Sequence, residues 1–350
     1  MSHRSPDQRG AQRREPEQYN NDLRSPKQRK LFETARKFGL NPAILLIFVV
    51  VALAPVLLPN EYIIRLLVSA LMMAALAMAF DFTSGYINIC NFGFSAFWGL
   101  GAYVSTIIVT RAGITPWAGF LFGAAGSALL GFLIGLLSIR LGGIFASCMT
   151  WFVSLTMMTL ANNLVSLTNG SAGLRAEALF KTTQNAPYYY VMFGAMLLTY
   201  VLLTYFTKLD MGLAFRGIGQ DVDAASSSGI NLVKYKIANF TISCAMAGLI
   251  GGVYAHFIGI ITPSVMSTNK TVEVMAISFI GGRGSIWGSL VLALILVPVL
   301  DLAKGLMEWR TIIYGVLMIV VMIYYPDGLS GLIMVVKNFI LRRIRSRKEG

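Results

Sequence analysis

Ionisable side chains are scarce in the apolar stretches of this 350-residue chain, and they are the groups that could do chemistry there. Asp81, Glu273 and Asp301 lie in or at the ends of such stretches. A carboxylate at membrane depth either reaches the polar surface or belongs to an ion path. Carriers driven by protons or sodium have several such groups, so this scarcity argues against that class. We keep Glu273 as a candidate for a translocation path.

Enzymatic motifs are also absent from the sequence. A phosphate-binding loop needs a Gly-Lys pair, and no Gly-Lys occurs; nor is there a His-Glu-x-x-His pair or a Gly-x-Ser-x-Gly elbow. The three cysteines and two histidines share no metal-ligand spacing, so we expect buried thiols and no metal site. The sequence therefore predicts a non-catalytic chain without a cofactor, and ATP, if it is used, must bind another chain.

The elements that position these residues are long apolar runs. Hydrophobic residues make up 56% of the chain and charged residues 13%, whereas soluble domains carry about 25% charged residues. A run of about 20 apolar residues is long enough to cross a bilayer. The runs predict an all-α integral membrane protein with about ten transmembrane helices, at residues 42–59, 62–80, 92–110, 117–138, 143–166, 188–207, 235–261, 271–281, 286–303 and 311–325.

The distribution of positive charge decides whether the short run 271–281 crosses. If it does, the basic segments at both ends of the chain lie in the cytoplasm, as the positive-inside rule favours. If 271–303 were one helix, the basic tail would lie outside and Arg283 within the bilayer. We therefore expect both termini to be cytoplasmic, with a transmembrane domain at 41–335 between a disordered basic extension at 1–40 and a basic tail at 336–350.

The net charge of +13 is concentrated in the two end segments. Topology and contact with anionic lipid headgroups explain it, so we expect a membrane-lipid partner and no nucleic acid. Six runs precede the polar segment "GIGQDVDAASSSGIN" at 217–231. This segment is therefore predicted to lie in the cytoplasm, between spans six and seven.

Two glycine-rich stretches, 84–103 and 281–293, allow two interpretations. Small residues permit close helix packing, and broken helices beside a substrate path use the same residues. The long loop at 167–187 is either a solvated connection or a docking surface for an external partner.

Several motifs together resemble one family, the permeases of bacterial ABC importers for branched-chain amino acids, with the LivM-type subunit as the better match. The motifs are "NFGFSAFWGLGAY", "LGGIFASCMTWFVSLTMMTLANNLVSLTNGSAGL", "FRGIGQDVDAASSSGINLVKYK", "AGLIGGVYAHFIG", "GGRGSIWG" and "IIYGVLMIVVMIYYPDGLSGL". They run in order from about residue 42 to 335.

The resemblance implies a subunit in the bacterial inner membrane that pairs with a homologous LivH-type permease. It also implies two cytoplasmic ATPase subunits, which bind ATP and magnesium, and a periplasmic substrate-binding protein. A cytoplasmic helix over 219–229 would couple this chain to the ATPases, through Gln220, Asp221, Asp223, Ala224, Ala225 and Gly229. The carboxylates suit the positive start of that helix, Gly229 would end it, and the three serines at 226–228 weaken it.

The substrate stays open at this level. Related permeases move branched-chain amino acids, other amino acids, urea or short amides, and a self-contained secondary carrier is the alternative from another class. Polar residues of the spans are candidates for a translocation path, namely Asn88, Asn91, Thr150, Ser154 and Asn162, together with Glu273.

Overall fold

The structure is a computed structural model that describes residues 42–58, 60–138, 141, 143–180, 182, 184–302, 309–325, 328 and 331. The predicted extension at 1–40 and tail at 336–350 lie outside these residues. The described part is almost entirely helical. Its α-helices are α1 (Pro42–Leu57), α2 (Glu61–Ser84), α3 (Phe94–Ala112), α4 (Pro116–Ser138), α5 (Ile144–Asn163), α6 (Val165–Thr168), α7 (Ala186–Lys208), α8 (Asp210–Gln220), α9 (Val222–Ser227), α10 (Leu232–Ile258), α11 (Thr268–Gly281), α12 (Ile286–Leu302) and α13 (Arg310–Tyr324).

A helix occupies each of the ten predicted apolar runs. Within the described residues, five helices are long and apolar enough to cross a membrane, namely α2, α4, α5, α7 and α10. Helices α11 and α12 reach that length only together, and they are bent by 116° at the break between them. The all-α membrane architecture is therefore confirmed, and one continuous helix over 271–303 is excluded.

Helix α2 is the central helix of the bundle. Every residue from Ala70 to Ser84 is buried, because α7, α10, α11 and α12 pack around it. Alanine and methionine dominate this stretch. Small and flexible side chains allow neighbouring helices to approach from every side, which explains why α2 tolerates enclosure on its whole circumference.

Helices α3, α4 and α10 form a tightly packed trio through small residues. A side chain at Gly101 would overlap the backbone of Gly248, and one at Gly248 would overlap Ser127 of α4. The Ser127 hydroxyl donates to the Phe97 carbonyl oxygen at 2.7 Å. The tight-packing interpretation of the first glycine-rich stretch is therefore confirmed for Gly101.

Helix α10 has 27 residues, about 40 Å at 1.5 Å per residue, and connects two ends of the molecule. Near its start, the Asn239 amide donates to the Phe82 carbonyl oxygen at 2.8 Å. We call this the Tyr86 end, where residues 82–88, 212–222 and 278–285 meet. Near its finish, His256 Nδ1 lies 2.7 Å from the Glu177 carbonyl oxygen.

The opposite end is the sheet end, where strands β1 (Leu174–Arg175) and β2 (Ile260–Ile261) pair antiparallel. Residues 174–176 of the predicted loop 167–187 thus lie against the chain that follows α10, where the Ala176 N–H donates to the Gly259 carbonyl oxygen at 2.9 Å. After β2, a 3₁₀ turn at Pro263–Met266 runs back between the helices, and Met266 is buried. This return places the start of α11 inside the bundle.

Candidate functional site

The predicted coupling helix is two helices rather than one. Helix α8 ends at Gln220, and Asp221 adopts an extended conformation with φ −153° before α9 begins. The Asp221 carboxylate accepts hydrogen bonds from the backbone N–H groups of Asp223 (2.9 Å) and Ala224 (3.0 Å). Aspartate is among the strongest N-cap residues because it satisfies otherwise unpaired donors. The prediction of one continuous helix over 219–229 is wrong, because Asp221 starts a new helix.

The end of this segment follows the sequence prediction. Gly229 has φ +82°, a backbone conformation that glycine adopts without steric cost. The Ile230 N–H donates to the Ala225 carbonyl oxygen at 3.1 Å, which closes the helix end. The Ser228 hydroxyl donates back to the Ala224 carbonyl oxygen at 2.9 Å.

Exposure divides the predicted coupling residues into two groups. Gln220, Asp221, Asp223, Ala224 and Gly229 are exposed. Ala225 is only 5% exposed and faces the protein. Of the two alanines, only Ala224 is therefore exposed to a partner, since the short helix α9 has its inner face against its own chain; the coupling role of the segment stays a prediction.

Helix α8 fixes this segment to the Tyr86 end. Phe215 is fully buried and packs edge-to-face on Phe82, with ring centroids 5.5 Å apart. The Arg216 guanidinium lies 5.3 Å from the centroid of the Tyr86 ring. Gly219 lies against the Tyr86 carbonyl oxygen, where any Cβ would overlap it. Burial raises the pKa of the Tyr86 phenol, so this side chain stays neutral beside Arg216.

A second cluster joins the end of α2 to the turn between α11 and α12. The buried Asp81 carboxylate accepts from the Gly284 N–H at 2.9 Å and from the Ser278 hydroxyl at 3.3 Å. Arg283 donates to the Asn88 side-chain oxygen at 2.6 Å. Hydrogen bonds to Asp81 therefore hold three helix ends together, and the second glycine-rich stretch is both a tight contact and a helix break.

Hydroxyl groups from three separate segments form a buried polar cluster inside the bundle. The Ser95 and Ser154 hydroxyls both donate to the Met266 carbonyl oxygen, at 3.0 and 2.8 Å. The Thr271 hydroxyl donates to Ser95 Oγ at 2.9 Å. These contacts bring together the start of α3, the middle of α5 and the start of α11. Such an arrangement can offer exchangeable hydrogen bonds to a polar solute without a fixed charge.

The predicted path residues separate by position. Ser154 belongs to the polar cluster, and Thr150 lies beside it, with its carbonyl oxygen against Gly93. The Asn91 side-chain oxygen accepts from the Gly93 N–H at 3.1 Å, which places Asn91 next to the same cluster.

The other three candidates lie elsewhere. Asn88 is exposed at the Tyr86 end. Asn162 is at the far end of α5, where its side-chain oxygen accepts from the Ser171 hydroxyl at 3.0 Å. Glu273 is buried on α11 and forms an ion pair with Lys270 at 3.1 Å. These three residues are not brought together with Ser154.

Sequence reasoning missed Ser95 and Thr271. Ser95 lies between two phenylalanines in the first glycine-rich stretch, and Thr271 opens the short run 271–281. Both positions mark a helix start at a break in the apolar pattern. That signal was present in the sequence, but only the fold brings the two starts into contact.

A family described as "Branched-chain amino acid transport system / permease component" matches residues 62–323. The permease protein LivM of the high-affinity branched-chain amino acid transport system of Salmonella typhimurium (strain LT2) is 24% identical over 282 residues, which are 73% of this chain and 66% of that protein. LivH of the same kind of system from Escherichia coli (strain K12) is 28% identical over 283 residues, 74% of this chain and 91% of that protein.

A fructose import permease protein, FrcC of Rhizobium meliloti, is 30% identical over a shorter stretch of 145 residues, 39% of this chain and 40% of that protein. No solved structure matches the chain. The chain spans 66% of the LivM protein, just under two thirds of its length. The family match extends from α2 to α13 and includes the Tyr86 end, the polar cluster and the α8–α9 segment. The chain therefore belongs to the family of branched-chain amino acid transport system permease components.

Proposed function

We propose that this chain is the LivM-type permease subunit of an ATP-driven importer for branched-chain or related amino acids. It has no catalysis of its own. A LivH-type permease completes the membrane part, two cytoplasmic ATPase subunits bind ATP and magnesium, and a periplasmic protein delivers the substrate. The names of the LivM and LivH relatives support the substrate class.

One observation carries the proposal. A polar, self-capped helix (α9) is exposed directly after a helix (α8) that is anchored to the end of the most buried membrane helix. An exposed element with a rigid attachment can receive a force from a partner and pass it to the bundle. We assign this role to the exposed residues Gln220, Asp221, Asp223 and Ala224, with Gly229 ending the helix.

The proposed topology has ten spans, the Tyr86 end in the cytoplasm and both termini on that side. Support comes from the course of the chain after α10, which turns at the sheet end and returns inward through the 3₁₀ turn at Pro263–Met266. Helix α11 then continues to the Tyr86 end, and α12 turns back. In this arrangement the 3₁₀ turn and α11 together make the eighth crossing, and the basic flanks obey the positive-inside rule.

The polar cluster of Ser95, Ser154 and Thr271, with Asn91 and Thr150 beside it, is the proposed lining of the translocation path. Its support is that these hydroxyl and amide groups are buried between helices, and that the Ser95 hydroxyl contacts both the Ser154 and the Thr271 hydroxyls. Asn88, Asn162 and Glu273 remain candidates that would act at other levels of the same path.

The test is co-expression with the ATPase subunits, followed by co-purification and transport in proteoliposomes. Asp221→Lys reverses the charge at the start of α9, and Asp221→Ala removes the cap without reversing the charge. We expect Asp221→Lys to lose ATPase subunits and leucine uptake more severely than Asp221→Ala. Equal and full activity of both variants would contradict the assignment of α9.

The ligand of the associated binding protein tests the substrate class separately. We expect an amino acid. Urea or a short amide would change the substrate within the family, a sugar would overturn the substrate proposal, and uptake without any ATPase would establish a secondary carrier instead.

A further inference from the structure

The loop at residues 85–93, between α2 and α3, touches three groups of contacts described above: those of α8 at the Tyr86 end, those around Asp81, and the polar cluster. Tyr86 meets α8 through Arg216 and Gly219. Two residues later, Asn88 accepts from Arg283 in the α11–α12 turn. The loop ends with Asn91 and Gly93 against the polar cluster. We call this segment the inner loop.

The contacts of the inner loop leave little room for independent movement. A Cβ at Gly219 would overlap the Tyr86 carbonyl oxygen, and a Cβ at Gly93 would overlap the Thr150 carbonyl oxygen. Both are contacts of backbone with backbone, which cannot relax by changing a rotamer. Close-packed interfaces of this kind transmit displacement rather than absorb it.

The middle of the inner loop is held in an unusual conformation. Asn88 has φ +56°, which is uncommon for a residue other than glycine. Its side chain accepts a 2.6 Å hydrogen bond from Arg283. The residue after Arg283, Gly284, donates its backbone N–H to the Asp81 carboxylate. The loop therefore has a fixed point between its two contact regions, about which its two ends can move in a correlated way.

We infer that the inner loop is the transmission element between the coupling segment and the polar cluster. This inference rests on the proposed function, because it takes α8 as the helix that partner ATPases displace. Movement of α8 shifts Tyr86, and the loop turns about Asn88. Asn91 and Gly93 then shift against Thr150 and Ser154, which changes the hydrogen bonds offered inside the bundle. Tyr86 and Gly219 are positioning residues in this scheme, since neither meets the substrate.

The first test replaces Gly219 by alanine, with Gly217→Ala as the matched control in the same helix. Alanine favours helix over glycine at both positions. A Cβ at Gly217 has its nearest neighbour, Ile230 Cδ1, at 3.5 Å, whereas a Cβ at Gly219 overlaps Tyr86. We expect Gly219→Ala to lower the stimulation of ATP hydrolysis by loaded binding protein about tenfold, within the usual range of coupling between sites. ATPase subunits should still co-purify, and Gly217→Ala should be stimulated like wild type.

The second test separates transmission from a folding defect by making the restraint reversible. Tyr86→Cys and Arg216→Cys are combined after replacing the half-buried Cys90 and Cys148 by alanine, while the buried Cys244 is kept. A short disulfide-forming linker then joins the inner loop to α8 in folded, assembled transporter. Because the inner loop follows α8 in this scheme, we expect leucine uptake to continue with the linker in place, and each single-cysteine variant should be unaffected by the reagent. Arrest that is reversed by reduction would show instead that the two segments must move apart.

The outcomes distinguish this inference from the proposed function. Full stimulation in Gly219→Ala, or arrest of uptake by the linker that reduction reverses, would overturn the role of the inner loop while leaving α9 as the ATPase contact. If Asp221→Lys retains its ATPase subunits and full transport, the proposed function itself fails. Loss of stimulation in Gly219→Ala but not in Gly217→Ala, with uptake that continues under the linker, supports transmission through Tyr86.

Discussion

Helices α8 and α9 follow each other in the polar segment, yet they are stabilised in different ways. Helix α8 buries Ala214, Phe215 and Ile218 against the Tyr86 end. Helix α9 buries only Ala225 and depends on the Asp221 side chain to begin and on Gly229 to end. Tertiary packing therefore holds α8, whereas local capping holds α9.

This difference assigns separate tasks to two neighbouring helices. A helix shorter than about 12 residues is marginal alone in water, so α9 keeps its shape only through its caps and its attachment to α8. Its exposed residues are thus free to meet a partner. Helix α8 is not available to a partner in the same way, because its buried side chains pack against the end of α2. The comparison predicts that changes in α8 affect stability first and that changes in α9 affect partner binding first.

The largest expected effect is at the anchor of α8. Phe215→Ala removes a fully buried ring that packs on Phe82 and on Tyr235, and burial losses of this kind cost about 3–5 kcal/mol. The control is Leu213→Ala in the same helix, where the side chain is 72% exposed and the cost should stay within about 0.5 kcal/mol. Thermal unfolding in detergent measures both. If Phe215→Ala and Leu213→Ala unfold at the same midpoint, Phe215 does not anchor α8.

Adjacent alanines in α9 give the next largest contrast. Ala225→Trp places a large ring in a buried position and should destabilise the protein by about 1–3 kcal/mol. Ala224→Trp adds the same ring on the exposed side, so the unfolding midpoint should stay near wild type while ATPase co-purification falls. If Ala225→Trp unfolds like wild type and only loses ATPase binding, the assignment of the inner face is incorrect.

The N-cap of α9 is expected to contribute a smaller amount. Asp221→Ala leaves the N–H groups of Asp223 and Ala224 without their side-chain acceptor and should cost about 1 kcal/mol of local stability. Asp221→Asn keeps a side-chain acceptor and should cost only a few tenths of a kcal/mol. Amide hydrogen exchange across residues 222–228 reports this difference directly. Faster exchange in the asparagine variant than in the alanine variant would contradict a capping role.

The weakest contact in the comparison is the one between Arg216 and the Tyr86 ring. The Tyr86 ring is itself buried, so Tyr86→Leu removes more than this contact, and the pair with the exposed Arg216 should account for about 0.5–1 kcal/mol of the loss. Tyr86→Phe keeps the ring and should unfold at nearly the wild-type temperature. The double variant Tyr86→Leu, Arg216→Ala checks the assignment, because the two changes should then be less than additive.

The positions of the helices could largely be predicted from sequence, since each apolar run became a helix within a few residues of its expected bounds. The break at Asp221 could have been predicted too, because the capping preference of aspartate is local. The prediction of one helix over 219–229 gave weight to the length of the polar segment and too little to that preference. Gly229 was placed correctly because left-handed backbone conformation is also a local requirement.

The candidate site was predicted less completely. Ser154, Thr150 and Asn91 were identified as polar residues in apolar surroundings, but Asn88 and Asn162 met the same criterion and lie at opposite ends of the molecule. Ser95 and Thr271 were missed because each is unremarkable in its own stretch. They are 176 positions apart, and nothing in either neighbourhood indicates the other.

By itself, the sequence determined that this is a helical membrane protein with a polar helical segment after the sixth apolar run. Hydrophobic length, charge placement and capping depend on residues close together in the chain. Only the tertiary structure decided that Ala225 faces inward, that Gly219 meets Tyr86, and that the Ser95 and Ser154 hydroxyls both donate to the Met266 carbonyl oxygen. Those contacts depend on how helices cross, and the crossing is set by the fit of many small side chains at once, which no local pattern specifies.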